Sequence, residues 1–312
     1  LGIARTAQAG FGFLRAALRK RPERTLKDFM INRFGEPLYR MFFERYTEKV
    51  WGRNPDSISA DWGAQRIRGL SLMKAAAGVL RSLSPWRRSR SRDVETSLIG
   101  EFHYPKKGPG QLWETLADEI RQAGGEILLN AEVRRVIVEG GRVRAVVIRQ
   151  GDAEIELSGD VFLSSAPVKD LIERTAPERV VPEEVRRIAE GLPYRDFIVA
   201  GVLADGLRIR NRTKLKTPND LIPDCWIYIQ ETDVKLCRLQ IFNNWSPYMA
   251  PNDRDKVWLG LEYFCTEGDE LWSMPERAFL DFAVGEVEKG GILDRASGSD
   301  AVRGRVKKAY PA

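Results

Sequence analysis

Histidine is almost missing from this 312-residue sequence, which holds only His103. The three cysteines, Cys225, Cys237 and Cys265, fall in no paired or CxxC spacing. Together these residues are too few to build a zinc site, so no metal is expected. An odd cysteine count argues against a disulfide framework and for a reducing compartment, and the expected location is cytoplasmic. Serine–histidine–aspartate chemistry would have one candidate base in the whole chain. Long apolar runs are missing too. The longest, FIVAGVLA at 197–204, is far short of the roughly 20 residues that cross a bilayer. The opening LGIARTAQAG has no initiator Met and no apolar core followed by a small-residue cleavage site, so it does not read as a signal peptide. Neither sign of charge dominates. Lys+Arg number 50 against 44 Asp+Glu, a net +6 spread along the chain, which is too mild to indicate a nucleic-acid partner. No period of roughly 20 to 50 residues recurs, which argues against a solenoid.

What is present is 43% hydrophobic and long enough for one large or two ordinary domains, each with a core. From 23 to 83 the pattern is helical. Thr25 and Asp28 have capping-box spacing before Phe29, Met30 and Phe34, and Gly35 stops that helix. Pro37 suits the first turn of the next, whose Leu38, Met41, Phe42 and Tyr46 recur at helical intervals. Ser59 opens a third helix, and a fourth carries Leu72, Met73, Ala76, Val79, Leu80 and Leu83. RSLSPWRRSRSR at 81–92 has five arginines and no acid, and reads either as a solvated linker or as a peripheral contact with an anionic membrane surface.

A glycine-bearing loop follows, with Gly108 and Gly110 opening a helix whose Leu112, Leu116 and Ile120 share one face. Gly124 and Gly125 end it. The stretch EILLNAEVRRVIVEGGRVRAVVIRQ is β-branched, and Gly140-Gly141 marks a hairpin. AEIELSG and DVFLSSAP read as a further strand pair leading to a helix that Ser165 caps and Pro167 initiates. Beyond 192, DFIVAGVL, CWIYIQ, KLCRLQIF and VWLGLEYFC alternate as strands of an antiparallel sheet, and PERAFLDFAVGEVEKGG adds a helix. The expected fold class is α/β. GFGFLR at 10–15 has the first two glycines of a dinucleotide fingerprint but Arg15 in place of the third and no preceding strand. The loop at Gly108 and Gly110, beside Lys106 and Lys107, reads equally well as part of a polar-ligand site and as a structural turn.

The run YPKKGPGQLWETLADEIRQAGGEILLNAEVRRVIVEGGRVRAVVI followed by GDVFLSSAP resembles the middle of the FAD-containing amine oxidase superfamily, with its protoporphyrinogen oxidase-like and phytoene desaturase-like members. The resemblance implies an interrupted Rossmann-like FAD-binding domain with a helical module and a mixed antiparallel-sheet substrate domain. It puts residues 1–98 in the helical part of the substrate domain and 99–168 in the middle of the FAD-binding domain. Residues 169–300 then return to the substrate domain, and 301–312 begin the return to the cofactor domain. The adenine-contacting strand position would be Val133, acting through its backbone. Ser165, Ala166 and Pro167 would form the small-residue turn, and Gly108 and Gly110 the loop near the flavin.

Upstream, MFFERYTEKVWG resembles a segment of UDP-galactopyranose mutases, a branch of the same architecture, and this implies that Phe42, Tyr46 and Trp51 line the substrate pocket. Core packing would also explain Phe42 and Tyr46. Arg66 and Arg68 are candidates for an anionic substrate group, although QRIRGLSL departs from the mutase pattern there. His103 and Arg66 are the only candidates for a catalytic role. The implied activity is hydride transfer from a carbon of a small-molecule substrate to FAD. The alternatives are a mutase-like isomerisation of a nucleotide sugar and a non-catalytic scaffold that keeps the fold. The glycine fingerprint and the final flavin segment of the superfamily are not in the sequence. The expectation is therefore an internal piece of a protein of about 450 residues, inactive and weak in FAD binding by itself.

Overall fold

The computed structural model describes residues 2–66, 103–249, 256–293 and, for the backbone, 303–309. The expected fourth helix, Arg68 and the arginine tract at 81–92 lie outside these residues. Helix α1, Ile3–Leu18, is followed by α2, Leu26–Phe34. Thr25 and Asp28 form the expected capping box: the Thr25 hydroxyl accepts from the Asp28 N–H and the Asp28 carboxylate accepts from the Thr25 N–H. Short α3, Glu36–Leu38, has Pro37 in its first turn, passes into a π-helical segment, Tyr39–Glu44, and continues as α4, Arg45–Trp51. Helix α5, Ala60–Arg66, starts where the Ser59 hydroxyl accepts from the Asp61 N–H. Leu26, Phe29, Met30, Ile31, Phe34, Tyr39 and Ala60 form the core of this helical module.

Helix α6, Gly110–Gln122, leads to strands β1, Ala131–Glu139, β2, Arg142–Gln150, and β3, Ala153–Ser158. Gly140 and Gly141 close the β1–β2 hairpin, both with positive φ, as a two-residue turn requires. Helix α7, Val168–Glu173, strand β4, Thr175–Ala176, and helix α8, Glu183–Glu190, complete this part. The sheet order is β3-β2-β1-β4, with β4 parallel to β1.

The remaining strands are β5, Asp196–Ala204, β6, Trp226–Tyr228, β7, Arg238–Ile241, β8, Val257–Cys265, and β9, Arg303–Ala309, in the order β6-β7-β8-β5-β9. Between them lie α9, Phe242–Trp245, α10, Glu270–Ser273, and α11, Glu276–Lys289. Strand alternation decides the packing. Ile198, Ala200 and Val202 of β5, Leu239 and Ile241 of β7, and Leu259, Leu261 and Tyr263 of β8 point one way and pack with Phe279, Ala283 and Val287 of α11 in the main core.

Two compact units result: residues Leu1–Gly108 with Phe197–Lys307, and Pro109–Asp196 with Lys308–Ala312. The fold is α/β with one mixed and one antiparallel-rich sheet. The division differs from the expected boundaries at 98 and 168, because β4 pairs with β1 and keeps α7 and α8 with the first sheet. The loop before Gly108 stays with the larger unit, and the β9 backbone joins its sheet.

Two segments read as strands, 126–129 and 160–164, form no strand among the described residues. No described strand lies in register beside them, and Leu163 is 96% exposed. The turn that follows differs too: Pro167 itself is the N-cap of α7, and no side chain caps that helix. On α6 the expected face of Leu112, Leu116 and Ile120 is present but exposed.

Truncating the fully buried Leu239 to alanine should cost about 2–5 kcal/mol, whereas exposed Leu215→Ala should stay within about 0.5 kcal/mol. Urea midpoints of the two variants check this; equal midpoints would contradict the sheet orientation given above.

Candidate functional site

The face of the five-stranded sheet opposite α11 carries the residues left over by alternation. Trp226 pairs with Gln240, Tyr228 with Arg238, and Arg238 with Glu262 across β6, β7 and β8. Glu262 is the exceptional residue, a carboxylate 3% exposed in an otherwise apolar strand. A buried carboxylate needs a partner. It has two: Arg238 Nη2 lies 2.5 Å from its Oε2, and the Gln240 amide donates to its Oε1. The Arg238 guanidinium sits between rings, 4.8 Å from the Trp226 centroid and 4.7 Å from that of Phe264. Its Nε is buried and makes no hydrogen bond. The arrangement spends the arginine charge on Glu262 and leaves a flat, polarisable surface.

Helix α4 supplies the next residue of this surface. Tyr46 meets Tyr228 edge-on, centroids 5.4 Å apart, and Tyr228 stacks on Trp226 at 5.8 Å. Burial, opposed in part by Arg238, raises the Tyr46 phenol far above its ordinary pKa, so it remains a neutral hydroxyl. The helix is fixed by Lys49, whose ammonium donates to the carbonyls of Ile229, Glu231 and Leu236 at 3.2, 2.9 and 2.5 Å. Its pKa is lowered by burial. A cavity of about 300 Å³ lies beside it, bounded by Arg45, Lys49, Val234 and Phe264.

Of the residues expected to line a substrate pocket, Tyr46 joins this surface. Phe42 sits in the π-helical segment, half-buried, with its carbonyl accepting from Gln230 at 3.4 Å. Trp51 points at α5, where its ring meets Trp62 edge-on at 5.1 Å. Arg66 ends α5, and its side chain is outside the described residues, as is Arg68. His103 is exposed.

Trp226, Tyr228, Arg238, Gln240 and Glu262 escaped the sequence reading. The readable signal was an acid at the centre of VWLGLEYFC.

The glycine loop is bound to the same unit. Gly108 has φ +88° and is buried, and a Cβ there would touch Met249 at 3.4 Å. The Ser246 hydroxyl donates to the Lys106 carbonyl, and Tyr104 stacks on Trp245 at 5.1 Å. Gly108 therefore has a structural role. Gly110 is different: it opens α6 with open space around its Cα and no side-chain cap.

In the smaller unit, Val133 lies just before a bulge in β1, and its carbonyl accepts from Arg174. Glu132 beside it contacts Arg134, Arg149 and Arg174 at 3.0, 2.9 and 3.2 Å. Those arginines, led by the hydrogen bond from Arg134, lower the Glu132 pKa. Ser165 and Ala166 are exposed, and the Ala166 N–H donates to the Ser164 hydroxyl. The candidate cofactor residues Val133, Ser165, Ala166 and Pro167 lie on one compact unit, where the Val133 carbonyl is taken by Arg174, the Ala166 N–H by Ser164 and the Pro167 carbonyl by the Leu171 N–H, and Tyr46 and the sheet face belong to the other.

A flavin adenine dinucleotide fits these residues in part. The small-residue turn, with Ser165 and Ala166 exposed, suits its adenosine end, but no glycine fingerprint that could cradle a pyrophosphate occurs in the sequence.

The family model of flavin containing amine oxidoreductases matches residues 8–277. Among solved structures, a reduced UDP-galactopyranose mutase superposes with a TM-score of 0.73 at 17% identity, over 99% of this chain and 61% of its own. A putative protoporphyrinogen oxidase from Exiguobacterium sp. 255-15 does so with 0.62 at 14%, over 99% and 60%. An oxidoreductase from Methanosarcina mazei gives 0.60 at 10%, over 100% and 62%. The chain thus spans about three fifths of the length of these structures, and at such identities the likeness is one of fold.

Two outcomes follow from the charges. Glu262→Gln leaves Arg238 uncompensated and should cost about 3 kcal/mol, while Glu262→Leu with Arg238→Met should restore most of it, as denaturant titration will show. Glu132 has a pKa below its ordinary 4.5, so its ion-pair stabilisation is present above that pH and lost as pH falls through the depressed value. Glu132→Gln should therefore shrink the acid-induced fall in melting temperature below pH 4.5; an unchanged fall would refute the linkage.

Proposed function

The chain belongs to the family of flavin containing amine oxidoreductases, and on that premise we propose that it forms the substrate face and part of the cofactor unit of an FAD-dependent oxidoreductase. When bound, the flavin supplies an acceptor for a hydride leaving a substrate carbon. Within the chain, the strand at Val133 and the turn at Ser165, Ala166 and Pro167 would hold the adenosine end. The observation that carries the substrate assignment is the surface of Trp226, Tyr228, Arg238 and Tyr46.

The rings there offer flat apolar faces, and the Tyr46 hydroxyl stays neutral and can donate or accept a hydrogen bond. With Arg238 already neutralised by Glu262, the surface favours a planar or partly apolar small molecule over a strongly anionic one. These residues bind and orient. They also keep water from one side of the ligand by stacking. No described residue is arranged as a proton donor or acceptor for the substrate, and none is needed to carry the hydride.

A second reading, isomerisation of a nucleotide sugar without net redox change, draws on the same guanidinium and stacked rings, which could face a nucleobase.

The test is the visible spectrum and substrate reduction of the protein expressed from its complete reading frame. Flavin absorbance that bleaches anaerobically with substrate, and a Trp226→Ala variant that raises KM about tenfold with the flavin still bound, would support the oxidoreductase. Flavin with no bleaching but UDP-sugar quenching of tryptophan fluorescence would favour the second reading. A colourless protein that takes up no FAD would replace both with a scaffold.

A further inference from the structure

Helix α1 is built with two unlike faces. Ala9 and Ala16 are buried, and Gly12 lies against Pro37, where a Cβ would come within 2.4 Å of the proline ring. Small residues thus let α1 pack closely on the start of α3. On the other side, Ile3, Ala7, Phe11, Leu14 and Leu18 fall within an arc of about 80° at 100° per residue. This stripe is uncovered, with Phe11 71% and Leu18 85% exposed. A stripe of that kind on a helix that already has its own packing face calls for an occupant.

The chemistry of the occupant is given by the flank. Arg15 follows the stripe around the helix and Arg19 lies just past its end, both toward a cavity of about 600 Å³ under α1. Its wall holds five cations, Arg15, Arg19, Lys20, Arg21 and Arg40, against one acid, Glu36. Glu36 is taken up by Arg40 at 2.7 Å and Arg21 at 3.6 Å. The Lys20 ammonium donates to the Asn32 carbonyl. Arg15 and Arg19 have no acidic partner among the described residues. An apolar stripe bordered by guanidinium groups with no acidic partner among the described residues, over a basic hollow, is complementary to a surface that is apolar inside and anionic at its edge.

We propose that α1 and the basic cavity beneath it dock the protein on an anionic phospholipid surface. The apolar side chains enter the boundary of the acyl region, and Arg15 and Arg19 meet headgroup phosphates, with the cavity wide enough for one headgroup. A second copy of this chain, itself of net charge +6, matches the five cations of the cavity wall less well than an anionic surface does. The docking face is separate from the sheet surface on β6, β7 and β8 and does not depend on any flavin chemistry.

Flotation of the protein expressed from its complete reading frame with vesicles of phosphatidylcholine alone, or mixed with phosphatidylserine, tests this. Binding is expected to the mixed vesicles and to weaken in about 1 M salt, where screening shortens to about 3 Å. Arg15→Gln with Arg19→Gln should lower the vesicle partition coefficient by roughly 10- to 30-fold. Phe11→Ser with Leu14→Ser should lower it at least roughly tenfold. All four positions are exposed, and an unchanged far-ultraviolet spectrum will show that the fold survives. Equal binding to both vesicle types, no binding, or binding untouched by the variants would overturn the proposal. So would binding lost only when the arginines of 81–92 are changed to glutamine. A stripe variant that instead changes the size of the free protein in chromatography would reassign the face to contact between copies.

Discussion

The three hydrogen bonds of the Lys49 ammonium hold the larger unit in its working arrangement. Every proton of the group finds a carbonyl, on Ile229, Glu231 or Leu236, and these belong to the connection between β6 and β7. An ammonium taken out of water is costly unless fully hydrogen-bonded, so the register of α4 on that connection is narrowly set. Tyr46, one turn before Lys49, is thereby carried to Tyr228, and Tyr228 to Trp226. The π-helical segment just upstream belongs to the same arrangement, because an extra residue per turn there changes which side chains face the sheet.

The parts of the fold that could be read from the sequence are those decided by near neighbours. The capping box at Thr25 and Asp28, the paired glycines of the β1–β2 hairpin, the full span of β8 and the inward stripe of α11 rest on residues within a turn or a pleat of one another. Helix α1 was not legible, since Gly10 and Gly12 lower its helix propensity and no side chain caps its start. Segments 126–129 and 160–164 show the opposite failure. Their β-branched and apolar residues fit strands, but a strand exists only beside another, and pairing is not written in the segment itself.

The candidate surface is legible at one residue and hidden at the others for a similar reason. Tyr46 stands in a linear motif. Trp226, Arg238 and Glu262 lie on three strands and become neighbours only through sheet register. The acid within β8 was visible, but its partner twenty-four positions earlier was not. The sequence marks Gly108 as a loop glycine and leaves its role open between ligand and structure. The positive φ and the contact with Met249 account for it structurally.

Alternation gives the five-stranded sheet a numerical code. On β6, β7 and β8 the odd positions, 227, 239, 241, 259, 261 and 263, face the core, and the even ones, 226, 228, 238, 240 and 262, face outward. The core and the candidate surface are thereby written in separate letters of the same strands. Changes at the exposed even positions 226 and 228 leave the core as it is, whereas 238 and 262 must change together because Glu262 is buried and ion-paired with Arg238. One inserted residue in β7 would exchange the two alphabets at once, so these strands should tolerate substitution far better than any change of length.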